Sequence, residues 1–151
     1  MDSNQKTFAF RKELAFLLVD AGRKLNDSYD AKMKPLALTR SQWRVMAYVS
    51  RTPGISQTEL AASVECSRMA ITSLLDRMQV KDLVERREVK GDRRVRSIYL
   101  TSKGEALVRG MNRTAGQVLK EVFANISEEE ISQLEKILQT IKFNAGGLAD
   151  M

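Results

Sequence analysis

Apolar side chains recur at steps of three and four along residues 8–33, where Phe10, Leu14, Leu17, Ala21, Leu25 and Tyr29 make one stripe with Leu18 beside it. That period predicts one long amphipathic helix, and Pro35 ends it. A second helix follows in "LTRSQWRVMAYVSRTPG". Thr39 and Gln42 have the spacing of a capping box, Trp43, Met46 and Ala47 share a face, and Pro53-Gly54 stops the run. Ser56 and Glu59 repeat the box ahead of "SQTELAASV". After a turn at Glu65-Cys66, Ser67 caps "RMAITSLLDRMQVKD". Ala70, Ile71, Leu74, Leu75 and Met78 are the expected buried face of this helix.

The period then drops to two. "LVERREV" and "VRSIYLT" are short and rich in Val, Ile, Tyr and Thr, and "KGDRR" between them holds Gly91. This is the signal of a β-hairpin, with Ile98 and Leu100 facing inward. Two helices close the chain. Ser102 and Glu105 form a capping box ahead of the stripe Leu107, Met111, Ala115, Val118 and Val122. Ser127 and Glu130 form another ahead of Ile131, Leu134, Leu138 and Ile141, and "NAGGLADM" reads as a frayed end.

The order helix, helix, helix-turn-helix, hairpin, helix, helix predicts a mainly α fold, an α+β winged helix-turn-helix. Residues 36–102 form the winged lobe. Residues 1–35 and 103–151 form a helical region around it, the whole being one continuous domain. The stripes over 10–29, 107–122 and 131–141 are long for the small core of one lobe, so they predict a homodimer. Two-fold symmetry would set two recognition helices about one DNA turn apart, on a pseudo-palindromic operator.

Charge sharpens this picture. The chain has 151 residues, 43% hydrophobic and 29% charged, as one globular domain should. Its net charge of +6 is concentrated: residues 67–103 hold ten Lys/Arg against five Asp/Glu, whereas 104–151 hold five against seven. A localised basic patch is the electrostatic footprint of nucleic-acid binding; a solvated basic surface is the bland alternative. There is no histidine and one cysteine, which excludes His-based triads and an internal disulfide and makes a zinc site unexpected. Glycine-rich phosphate loops and nucleophile–base pairs are missing too, so no catalytic residue, metal or cofactor is expected and the chain is not read as an enzyme. No apolar run approaches the roughly 20 residues that span a bilayer, and the start of the chain lacks the pattern of a secretory signal. A cytoplasmic location, away from membranes, is expected. Cys66 sits at an apolar turn position and reads as core.

Double-stranded DNA is the expected partner. A recognition helix enters the major groove with its N-terminal residues towards the base edges. Those residues are Ser67, Arg68 and Met69, with Thr72 and Ser73 one turn on, and Arg77 and Arg86 complete the contact set. Ser67 caps the helix at its positive dipole end, where a phosphate fits. The hairpin tip carries Lys90, Arg93, Arg94 and Arg96, cations suited to the narrow minor groove and its flanking phosphates. Asp92 would repel DNA if exposed, so it is read as bonding within the turn or pairing with an arginine.

"LTRSQWRVM", "SQTELAASVECSRMAITSLLDRMQVKDLVER" and "GDRRVRSIYLTSKGE" resemble the multiple-antibiotic-resistance regulator (MarR) family of bacterial transcription factors. The likeness runs in order over roughly residues 10–145. It implies a homodimer with interlocked terminal helices, and a repressor, in some members an activator, whose DNA affinity falls when a small anionic aromatic compound binds. By position, Asp76 matches a family Asp that pairs with a wing arginine, here Arg94, so that Asp76, Asp92 and Arg94 are the expected wing anchors. An effector cleft would lie between the terminal helices and the lobe, with Tyr29 and Trp43 as aromatic walls and Arg23 or Arg40 as the cation; Trp43 as plain core is the competing reading. The chain departs from the family at Glu65 and Asp82, where glycine is usual. A winged-helix protein-interaction module without DNA binding is the alternative function.

Overall fold

The computed structural model describes residues 3–89 and 92–149, without the side chains of 3, 89, 92–95 and 149. The chain is a winged helix-turn-helix. A long helix α1 (Ser3–Met33) and a 3-10 turn (Lys34–Leu36) lead into α2 (Arg40–Arg51), β1 (Ile55–Ser56), α3 (Gln57–Ser63) and α4 (Arg68–Val80). The hairpin β2 (Val84–Val89) and β3 (Asp92–Leu100) follows, then α5 (Ser102–Val122) and α6 (Glu128–Ala149). The strands pair antiparallel in the order β1-β3-β2.

Side-chain chemistry sets the helix starts. Thr39 with Gln42 and Ser56 with Glu59 form reciprocal capping boxes at α2 and α3. Ser127 and Glu130 exchange the same bonds at α6. The start of α5 differs from the sequence reading. Thr101, not Ser102, caps it: Thr101 Oγ1 accepts from the Gly104 N–H at 3.0 Å, and the Thr101 carbonyl accepts from the Glu105 N–H at 2.8 Å. The same hydroxyl donates to the Asp82 carbonyl at 2.6 Å, and this second tie to the end of α4 favours Thr101 over its neighbour.

In the hairpin, register runs from Val84 opposite Leu100 to Glu88 opposite Arg96, with a shift between Glu88 and Val89. β3 therefore begins earlier than the apolar run that announced it. β1 was not foreseen, because two residues carry no period; it pairs Ile55 with Ile98 and Ser56 with Ser97.

The core lies between the helices and the sheet. Val45, Met46 and Val49 of α2, Leu60 of α3, Ile71, Leu75 and Met78 of α4, and Val84 and Ile98 of the hairpin are buried together with Met33. Burying a side chain of this size contributes about 1.5–3 kcal/mol. Ala70, expected on this face, is exposed and lines a cavity with Arg40, Arg44 and Leu74.

By its contacts the chain divides into two compact units, Met1–Val118 and Leu119–Met151. In the first, most of the α5 stripe is used internally: Val108 and Met111 join the core, Val118 is buried, and Leu107 and Ala115 are half-buried. Of the apolar stripe expected over residues 107–122, the part through Val118 is thus covered, while Val122 stands exposed. The stripe of α1 behaves differently, with Phe10, Leu14 and Leu17 exposed while Tyr29 packs against the core. In the second unit, Leu134, Ile137, Leu138 and Ile141 of α6 are exposed. An apolar groove of about 310 Å³ runs beside them, walled by Phe123, Ile131, Leu134 and Leu138.

Candidate nucleic-acid interface

The turn between α3 and α4 is a Schellman cap. The Cys66 N–H reaches the Ala61 carbonyl at 3.0 Å and the Glu65 N–H reaches the Ala62 carbonyl at 3.2 Å. Glu65 holds the left-handed position, φ 57°. The end of α4 repeats the device: Leu83 N–H to the Met78 carbonyl at 3.0 Å, Asp82 N–H to the Gln79 carbonyl at 2.9 Å, and Asp82 at φ 58°. Glycine fits this conformation without strain, which explains why it is usual at both places. Here Glu65 and Asp82 take the same backbone geometry, so the helix-turn-helix is preserved at some conformational cost.

α4 presents Arg68, Met69, Thr72, Ser73, Asp76 and Arg77 to solvent, and Met69 is 85% exposed. Ser67 Oγ accepts from the Ala70 N–H at 3.2 Å and fixes the first turn. Thr72 Oγ1 donates to the Arg68 carbonyl at 2.8 Å and accepts from Gln57 Nε2 of α3 at 2.6 Å. Its proton is thereby committed, and its methyl group and one remaining lone pair are left to meet a partner. Arg77 donates to Ser73 Oγ at 2.9 Å. Gln57 was not singled out in the sequence; its place as the first residue after the Ser56 cap was the available signal.

Two arginines of β2 face opposite ways. Arg87 pairs with Glu85, and its guanidinium stacks 4.2 Å from the centre of the Tyr99 ring. Arg86, expected among the DNA contacts, turns inward instead. Its side chain is only 10% exposed and donates to Asp76 Oδ1 at 2.7 Å, Gln79 Oε1 at 2.8 Å and the Thr72 carbonyl at 3.3 Å. Asp76 thus has its arginine on β2. Lys90 and the side chains of Asp92, Arg93 and Arg94 lie outside the described residues, and with them the expected Asp76–Arg94 pair. Arg96 is exposed, opposite Glu88 in the register.

The residues expected around an effector come together in part. The Tyr29 and Trp43 rings stand 5.5 Å apart at 48°. Arg40 bonds to Asp30 and, at 2.6 Å, to Asp27, while Trp43 Nε1 donates to Asp30 Oδ1 at 2.8 Å. Arg23 is exposed and held by Asp20 at 3.1 Å. The chain's own carboxylates therefore occupy both candidate cations, and Trp43 is buried in the core cluster. Burial raises the Asp30 carboxyl, but the bonds from Arg40 and Trp43 and the nearby charges of Arg40 and Lys34 outweigh it and hold the group below its ordinary value.

A depressed folded value means this contact stabilises above the ordinary Asp range, about 3.9, and is lost as pH falls through the depressed one. Trp43 is the single tryptophan and reports the change. Its emission is expected to shift below about pH 4, and Asp30→Asn is expected to abolish that transition in an acid titration followed by fluorescence.

A cavity of about 250 Å³ opens between α2 and α4, lined by Arg40, Arg44, Arg77, Ser73 and Cys66 among others. Cys66 is half-buried at its wall and packs against the core cluster, in keeping with its apolar turn position. Among the described residues no cluster of His, Cys, Asp and Glu could hold a metal ion. No described helix is long and apolar enough to cross a membrane.

The MarR family model matches residues 38–95. The solved transcriptional regulator PA3341 is 29% identical, with a TM-score of 0.82 over 89% of this chain and 98% of that one. The chain is similar to the MarR family through its winged helix-turn-helix. Wild-type MarR from E. coli in its apo form is 26% identical, with a TM-score of 0.72 over 85% of this chain and 96% of its own. A cysteine-to-serine mutant of E. coli MarR, solved in complex with operator DNA, is 25% identical over 93% and 99%, with a TM-score of 0.73. The MarR-family match begins just before α2 and ends within β3, so it covers the helix-turn-helix and the hairpin.

Proposed function

We propose that the chain is a dimeric, sequence-specific DNA-binding transcriptional regulator of the cytoplasm, a repressor released by a small anionic aromatic effector. The observation that carries this reading is the uncovered face of α4, where Arg68, Met69, Ser73 and Arg77 stand exposed beside a hairpin whose tip is basic in sequence. The relative bound to operator DNA supports it. In this reading α4 enters the major groove and Lys90, Arg93, Arg94 and Arg96 meet the minor groove and its phosphates. Residues 36–102 bind DNA, and the helical regions 1–35 and 103–151 dimerise. The exposed faces of α1 and α6 are covered by the second copy. The effector sits in the cavity between α2 and α4, where Arg77 offers its guanidinium to an anion, Arg40 and Arg44 being engaged by the chain's own carboxylates, and a bound molecule presses on Ser73 and Arg77 of α4.

Duplexes selected from a random-sequence library by the full chain supply the test. A dimer neutralising six or more phosphates should lose about 10³-fold in affinity between 50 and 200 mM salt. A flat salt response, or a selection that converges on no sequence, rules the reading out.

A further inference from the structure

We infer that Gln57 of α3, clamped on Thr72, reads an adenine in the major groove beside α4 and so helps to set operator specificity. The inference rests on the DNA-binding reading above. Gln57 is the first residue of α3, and its backbone is held from the residue before it: Ser56 caps the helix through Glu59 and pairs with Ser97 of β3. Its side chain crosses to the exposed face of α4, where Nε2 donates to Thr72 Oγ1 at 2.6 Å. The polarity of this contact is fixed. The Thr72 hydroxyl gives its proton to the Arg68 carbonyl at 2.8 Å, so towards Gln57 it can only accept. The amide nitrogen must therefore face Thr72. Among the described residues Gln57 Oε1 has no partner, and it is not buried.

What stays free on the carboxamide is one N–H and one carbonyl oxygen, a donor beside an acceptor. In the major groove guanine presents two acceptors, thymine an acceptor and a methyl group, and cytosine a donor; adenine alone presents an acceptor, N7, next to a donor, N6. A phosphate offers acceptors only and would leave Oε1 facing its oxygens. Arg68 and Arg77, exposed on the same helix, suit that role better. Holding α3 to α4 does not account for the bond either. The two helices are already joined by the Schellman turn and share Leu60, Ile71 and Leu75 in the core, and a hydrogen bond between exposed groups adds little to stability. The bond acts on the side chain itself: a long, flexible group is ordered before DNA arrives, which lowers the ordering cost of binding.

The test uses the full chain and the duplexes it selects from a random-sequence library. The wild type is expected to select an A·T pair at one position of each half-site. Gln57→Ala should accept every pair there and bind the wild-type duplex about tenfold more weakly, the order of discrimination a good bidentate base contact gives. Its salt slope should be unchanged, because no phosphate contact is lost, and its urea midpoint should match the wild type. Gln57→Glu, an acceptor only, should select a C·G pair at the same position, with the Thr72 hydroxyl turned to donate to it. A merely structural residue gives no such switch. Thr72→Val keeps the shape, removes the acceptor and should relax the position that Gln57→Ala relaxes. Unchanged selection by both Gln57 variants overturns the inference, as does a weakening equal for all sequences. Relaxation of a different position by Thr72→Val overturns the clamp. A wild type that converges on no sequence removes the DNA-binding reading itself, which separates the two failures.

Discussion

Gly104→Ala is expected to cost about 3 kcal/mol or more, large for one methyl group. A Cβ at this position would stand 2.1 Å from the Leu83 carbonyl oxygen and 3.1 Å from its carbon. Both are backbone atoms, which cannot swing aside as a side chain does. That backbone is also pinned. The Leu83 carbonyl accepts from the Thr101 N–H at 3.2 Å, the Thr101 hydroxyl holds the Asp82 carbonyl, and Lys103 Nζ reaches the Lys81 carbonyl at 2.7 Å. Relief would have to move the first turn of α5 away from the wing root, breaking these bonds together. Urea unfolding followed by circular dichroism measures the loss, and Gly116→Ala is the control. Nothing lies within 4 Å of a Cβ at Gly116, so that exchange should be neutral or stabilise by up to about 1 kcal/mol. Equal midpoints for the two variants would show that the wing root yields.

The run "LTSKG" is therefore a packing device, and the sequence disclosed it only as a motif. What was legible had a local cause. Thr39, Ser56 and Ser127 announce helices because the capping bond closes within three residues, and the α4 core positions repeat with the helix itself. What was not legible depends on residues brought together by folding. Arg86 and Arg87 are adjacent and chemically identical, yet one is buried against α4 and the other stacks on Tyr99, because neighbours on a strand face opposite sides. Thr101 outcompetes Ser102 as a cap only once the Asp82 carbonyl is near. The α5 stripe looked like the α1 stripe, but Met111 has a lobe to pack against and Leu17 does not. Glu65 and Asp82 reveal the opposite limit: the fold takes a left-handed backbone at both Schellman caps without the glycine that usually signals it.

The exposed stripes give the second large effect. Leu17→Glu combined with Ile137→Glu is expected to yield a folded monomer that binds the selected operator about 10²- to 10⁴-fold more weakly. Leu17 is 64% exposed and Ile137 56%, so neither charge enters the core of its own unit, and helicity should be preserved. In the proposed dimer each position is covered by the second copy, where an unpaired carboxylate is costly. The affinity loss follows from the linkage of two lobes. Once the first lobe is bound, its partner meets the second half-site at a high effective concentration, and a monomer forfeits that gain. The salt slope should fall to about half, because one lobe neutralises half the phosphates. Sedimentation equilibrium reads the mass and a titration against the duplex reads the affinity. A double variant that keeps the wild-type mass would exclude these two faces from the interface, while a monomer with undiminished affinity would show that each lobe recognises its site alone.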